Sequence, residues 1–221
     1  MAITLLLVAV LAVIAASWLS QQRLTAKPWL EEGLVGDVPD AGAAPVPAAK
    51  VGLGVFLAVV GSLFALFASA YSMRMHMGDW QSLPKPWLLW LNTAVLILSS
   101  VALHRAQVAA RRGQIEGVRA GLLAGGATAL LFLAGQVLVC RQLTTAGFFL
   151  AANPASSFFY LITAVHGLHL LGGLVALGRA AARVWRGVDL DRVPLSVELC
   201  AMYWHFLLLV WLVLFALLLH T

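Results

Sequence analysis

QLTTAGFFLAANPASSFFYLITAVHGLHLLGGLVALG, from Gln142 to Gly178, carries no charged side chain and is too long for one crossing of a bilayer. About 20 apolar residues rising roughly 1.5 Å each suffice for a hydrocarbon core roughly 30 Å thick. The first part of the segment holds Asn153-Pro154 and several hydroxyls. It reads as a loop that feeds a helix from about Ser157 to Gly178. Outward from this segment, uncharged runs recur at Met1 to Gln22, Val51 to Met73, Pro86 to His104, Ala120 to Cys140 and Leu199 to Thr221. Each is long enough to span, so the expectation is six helices. No strand alternation competes, and a membrane admits only helices or closed barrels.

The fold class is therefore all-α, a polytopic transmembrane helix bundle. Residues 1–20 form an expected N-terminal transmembrane helix, 21–49 a linker rich in Pro, Ala and acids, and 50–221 a five-helix membrane domain. The N-terminal run lacks the basic flank of a secretory signal and is read as retained. Composition agrees: of 221 residues 62% are hydrophobic and 10% charged, with a mean hydropathy of +0.94. That balance excludes a disordered chain and an ordinary soluble enzyme. Cys140 and Cys200 fall in or beside apolar runs and make neither a disulfide framework nor a zinc spacing.

The net charge of +5 does not signal nucleic acid, because the charges sit in the gaps between runs. Loops one, three and five hold eleven Lys and Arg, and loops two and four hold three, Arg74, Lys85 and Arg141. The odd loops are thus expected on the cytoplasmic side and both termini outside. No acid or base falls within a span, which argues against an ion pump or proton-coupled transporter. Phosphate-binding glycine loops and hydrolase motifs are missing as well.

Histidine is the ionisable residue left at depth. His166 and His169 lie three apart on one helix face, and His205 lies on the last helix. Three readings of them stand: axial ligation of a b-type haem between two helices, polar glue in a packed bundle, and contact with a lipid headgroup or partner subunit. Pairs at four-residue spacing, Gly121 with Gly125 and Gly172 with Ala176, favour close helix approach.

FFYLITAVHGLHLLGG (Phe158 to Gly173), YWHF (Tyr203 to Phe206) with Trp211 after it, LNTAVLILSS (Leu91 to Ser100), FLAGQ (Phe132 to Gln136) and FASAY ending at Tyr71 occur in this order. Together, over about Lys50 to Leu219, they resemble subunit III of the haem-copper terminal oxidases. The resemblance implies a five-helix subunit III-like core and a non-redox accessory subunit of a complex that reduces oxygen to water and moves protons. It implies no cofactor in this chain, with haem and copper in partner subunits. Subunit I would be the main contact, beside subunit II and phospholipids, in the bacterial cytoplasmic membrane. His166, His169, Trp204 and His205 become candidate lipid or subunit contacts, with no catalytic or metal residue. Two departures stand out. Val60 occupies the position of the family's membrane glutamate, and Leu207 and Leu208 follow YWHF where an aspartate is common. An accessory subunit of a quinol oxidase or nitric oxide reductase, and a small haem b cytochrome, are the alternative readings.

Overall fold

The computed structural model describes residues 47–187 and 193–220, together with residue 13. The expected N-terminal helix at 1–20, residue 13 apart, and most of the linker at 21–49 lie outside the described residues. Five helices follow in order: α1 (Ala48–Arg74), α2 (Leu88–Arg111), α3 (Ile115–Thr145), α4 (Pro154–Arg186) and α5 (Val193–Leu219). Each is long and apolar enough to cross a membrane, and the described residues contain no strand. A helix satisfies its backbone groups internally, which lipid cannot do for it.

The connection before α4 is shorter than the sequence reading. Helix α3 runs on to Thr145, where the hydroxyls of Thr144 and Thr145 donate to the Arg141 carbonyl at 2.9 and 3.1 Å. Helix α4 starts at Pro154 because Asn153 acts as its cap, accepting from the Ser156 N–H at 3.0 Å. Asn followed by Pro at the first helical position is a start signal here, not loop chemistry. Helix α4 continues through 33 residues to Arg186 and is capped by Gly187 at φ +66°. At about 1.5 Å per residue it is roughly 50 Å long, so its last turns, with Arg179, Arg183 and Arg186, reach beyond the hydrocarbon.

Helices α2 to α5 close a ring, α2 against α3 and α5, and α4 against α3 and α5, while α1 leans on α4 and α5. The α2–α3 contact is the most extensive. Its turn is tight, with Gly113 in the left-handed region at φ +69°. Its surfaces are close: a Cβ on Gly121 would lie 2.7 Å from Ala106 Cβ and 2.9 Å from the Ala102 carbonyl oxygen. The expected small-residue seam at Gly121 and Gly125 is therefore the α2–α3 contact. One core fills the ring around Leu96, Leu103, Phe132, Trp204 and Trp211. A second joins α1 to α4 and α5 through Val60, Phe64, Ile162, Val210 and Leu214.

Candidate functional site

Several polar side chains at depth bond helix to helix, while Gln136 Nε2, Thr163 Oγ1 and both ring nitrogens of His166 have no hydrogen-bond partner among the described residues. Trp204 is fully buried and donates its indole N–H to Ser99 Oγ at 2.9 Å, while Ser99 donates to the Gly125 carbonyl at 2.8 Å. One hydroxyl thus ties α2, α3 and α5 together. A turn or two away, Trp211 Nε1 donates to Thr93 Oγ1 at 3.0 Å, and Thr93 donates to the Leu89 carbonyl. Asn92 Nδ2 donates to Gln136 Oε1 at 3.0 Å between α2 and α3. Such bonds are each worth about 0.6–2 kcal/mol in a membrane interior, and they fix helix register as well as energy.

The four candidate residues fall into different settings. His166 is 1% exposed, its ring 5.2 Å from Trp211, 6.0 Å from Phe132 and 6.1 Å from Phe64. His169 bonds through Nδ1 to the Val165 carbonyl at 2.8 Å and packs on Phe64, and Tyr203 donates to the His169 carbonyl. Trp204 packs against Gly173, where a Cβ would come within 2.8 Å of its ring. His205 turns to α2 instead, with its Nδ1 bonded to Ser100 Oγ and its ring 5.7 Å from that of His104. The structure thus gives His205 a hydrogen-bond partner on α2, and gives His166 aromatic ring contacts on α1, α3 and α5 with no hydrogen-bond partner for either ring nitrogen among the described residues. It does not assemble the two into a facing haem-ligand pair. Among the described residues no group of three or more His, Cys, Asp or Glu comes together.

Two features escaped the sequence reading. His104 closes an uncharged run in the sequence, and the structure sets its ring beside that of His205 across the α2–α5 contact. Glu198, on the second turn of α5, joins three helices at one end of the bundle. It accepts from Lys50 of α1 at 2.8 Å and lies 3.6 Å from Arg111 of α2. A helical spacing of seven between Glu198 and His205 was the available signal. At the opposite end Arg74 pairs with Asp79 and holds the carboxyl below its ordinary value of 3.8 through that hydrogen bond. Between α1, α4 and α5 lies an apolar groove of about 300 Å³, lined by Leu53, Phe56, Gly172, Ala176, Cys200 and Tyr203 among others.

A bundle of five helices long and apolar enough to cross a membrane, with its ion pairs at the helix ends, defines a multi-pass helical membrane protein. The family model for cytochrome c oxidase subunit III matches residues 50–220. A "Probable cytochrome c oxidase subunit 3" of Mycobacterium bovis is 33% identical over 171 residues, covering 75% of this chain and 84% of the relative. The "Cytochrome c oxidase subunit 3" of Thermostichus vulcanus is 31% identical over 177 residues, 76% and 85% of the two chains. That of Synechocystis is 32% identical over 172 residues, 75% and 72%. The chain belongs to the cytochrome c oxidase subunit III family. It is an accessory subunit of a haem-copper oxidase, an oxidoreductase complex with further subunits in the membrane.

Proposed function

We propose that this chain is a non-catalytic, non-redox subunit that packs against subunit I, in a complex with subunit II, and stabilises the catalytic subunit through repeated turnover. Haem and copper reside in those partners. The observation that carries this reading is the interior itself: Ser99, Trp204, Thr93, Trp211, Asn92 and Gln136 hydrogen-bond helix to helix. Val60, at the position where the resemblance expects a glutamate, lies in an apolar cluster with Ile162 and Leu214.

The groove between α1, α4 and α5 suits a phospholipid acyl chain, and Gly172 faces it with nothing within 4 Å of an added Cβ. Trp204 lines it, and His166, His169 and His205 serve packing and subunit contact. The end of the bundle that carries Lys50, Arg111 and Arg119 is the cytoplasmic one, in a bacterial inner membrane, with both termini outside. The complex is tested by purification through a tag on this chain, with identification of the co-purifying subunits and a haem spectrum. Subunits I and II are expected. Deleting the chain should leave initial oxygen consumption largely intact and shorten activity over repeated turnovers. Immediate, total loss in an assembled, haem-loaded complex refutes the non-catalytic reading.

A further inference from the structure

Three of the chain's five methionines fall together, at Met73, Met75 and Met77, with His76 between the last two. They close α1 at the end opposite Lys50. The backbone keeps turning past Arg74: the Met75 N–H donates to the Tyr71 carbonyl at 3.0 Å and the Met77 N–H to the Arg74 carbonyl at 3.1 Å. Residues three and four apart on such a turn share a face, with their Cβ atoms about 5–6 Å apart. Met73, His76 and Met77 stand in that relation, and Met75 falls on another side of the turn.

Exposure divides them in the same way. Met73, His76 and Met77 are exposed, Met73 at 73%, whereas Met75 is half-buried against the apolar cluster that joins α1 to α4 and α5. His76 has no hydrogen-bond, ion-pair or ring partner among the described residues. The charge of the neighbouring Arg74 is balanced by Asp79. A helix end that is only anchored at an interface uses Trp, Tyr or long basic side chains. A thioether is a weak hydrogen-bond acceptor but a soft, uncharged donor, and the unbranched methionine stem lets two sulfurs converge on one ion.

We propose that Met73, His76 and Met77 form a Cu(I) site of two sulfurs and one nitrogen. Thioether sulfur selects Cu(I), and imidazole suits the same metal. Calcium and magnesium require oxygen ligands, and zinc takes thiolate, imidazole or carboxylate, so this donor set excludes them. All three ligands lie on the surface of a single turn, without a buried shell to hold the ion. Such a site exchanges its copper with the surroundings and suits its transfer, not a fixed redox centre. The proposal rests on these residues and not on the accessory-subunit reading.

The test is an anaerobic titration of the full chain in detergent micelles with Cu(I) buffered by bicinchoninate, with the copper shell read by X-ray absorption. The unaltered chain should bind one equivalent more than the double variant Met73→Leu, Met77→Leu, and that copper should show both sulfur and nitrogen. Copper held by Cys140 or Cys200 is common to both and cancels in the difference. Met75→Leu should bind like the unaltered chain, and His76→Phe should lose the nitrogen. Leucine conserves the volume of methionine, and unchanged helicity by circular dichroism confirms the fold of each variant. Equal uptake by the unaltered chain and the double variant overturns the proposal, as does loss of the same equivalent in Met75→Leu. Displacement of the copper by equimolar Zn²⁺ overturns the soft-ligand assignment. A chain that purifies without oxidase subunits but binds this copper refutes the accessory reading and supports the site.

Discussion

Gly135→Ala should be among the most damaging single-methyl changes in the bundle. A Cβ at position 135 would stand 2.0 Å from Asn92 Oδ1 and 2.7 Å from its Cγ and Nδ2. The far end of Asn92 must therefore move, and it is the end that donates to Gln136 at 3.0 Å. Both residues are buried, at 3% and 5% exposure, and Gln136 Nε2 has no partner among the described residues. Displacing Asn92 leaves the glutamine amide unsatisfied at both ends. Overpacking costs about 1–3 kcal/mol and the lost interhelical bond about 0.6–2 kcal/mol, against which alanine returns roughly 1 kcal/mol of helix propensity. The net is about 2 kcal/mol, or roughly 30-fold in the folding equilibrium. Reversible denaturant titration of the chain in mixed micelles measures it. The decisive comparison is a double-mutant cycle with Asn92→Ala, which removes the clashing atoms. In that background Gly135→Ala should be neutral or slightly stabilising. An equal cost in both backgrounds refutes the assignment of the clash to Asn92.

Three further outcomes follow from the same contacts. Ser99→Ala removes the acceptor of Trp204 and the donor to Gly125, and should lower stability by about 1–2 kcal/mol in the same titration. Gly172→Leu projects into the groove where nothing lies within 4 Å. It should leave folding intact while reducing the phospholipid counted by native mass spectrometry of the purified complex, and an unchanged lipid count speaks against the groove as a lipid site. The Arg74–Asp79 pair gives a pH dependence. Because the carboxyl is held below 3.8, its contribution is present above the ordinary aspartate range and lost as pH falls through the lowered value. Acid should then loosen the segment that packs Trp80 edge-to-face on Tyr71 at 4.9 Å, with a red shift in Trp80 emission that Asp79→Asn abolishes.

The spans of the described helices were legible because uncharged length is a direct physical requirement of the bilayer. Their ends were harder. Asn153-Pro154 reads equally as a turn or as a cap with a first helical residue, and only the tertiary setting decides between them. Hydroxyls in the 142–157 segment suggested loop, yet Thr144 and Thr145 fold back on the helix they end. For the site, the shared helix face of His166 and His169 followed from their three-residue spacing. The separation of His166 from His205 did not, because which side of α5 faces α2 depends on packing that spacing along one helix does not encode. Trp211 and Phe215 flank Leu212 on that helix, and the first two are buried while Leu212 is 42% exposed.

The two departures from the family pattern have structural counterparts. Val60 is 3% exposed within the cluster of Phe64, Ile162, Val210 and Leu214, and Leu208, two residues after YWHF, is half-buried against the ring core. A carboxylate at either place would lose water without a cation beside it in those clusters, at a cost of several kcal/mol. The same clusters show what the apolar residues do instead. Val60 helps close α1 onto α4 and α5, one turn from Phe64, whose ring touches both His166 and His169. The attachment of α1 to the ring thus rests on apolar and aromatic contact at depth, with Lys50 to Glu198 as its ion pair at the charged end. Val60→Glu should consequently loosen α1 from the ring while sparing the α2–α3 hairpin. Protease accessibility of a site introduced in the 75–87 connection, compared with one in the 112–114 turn, measures that difference. Equal protection of both sites would show that α1 is held by something other than this cluster.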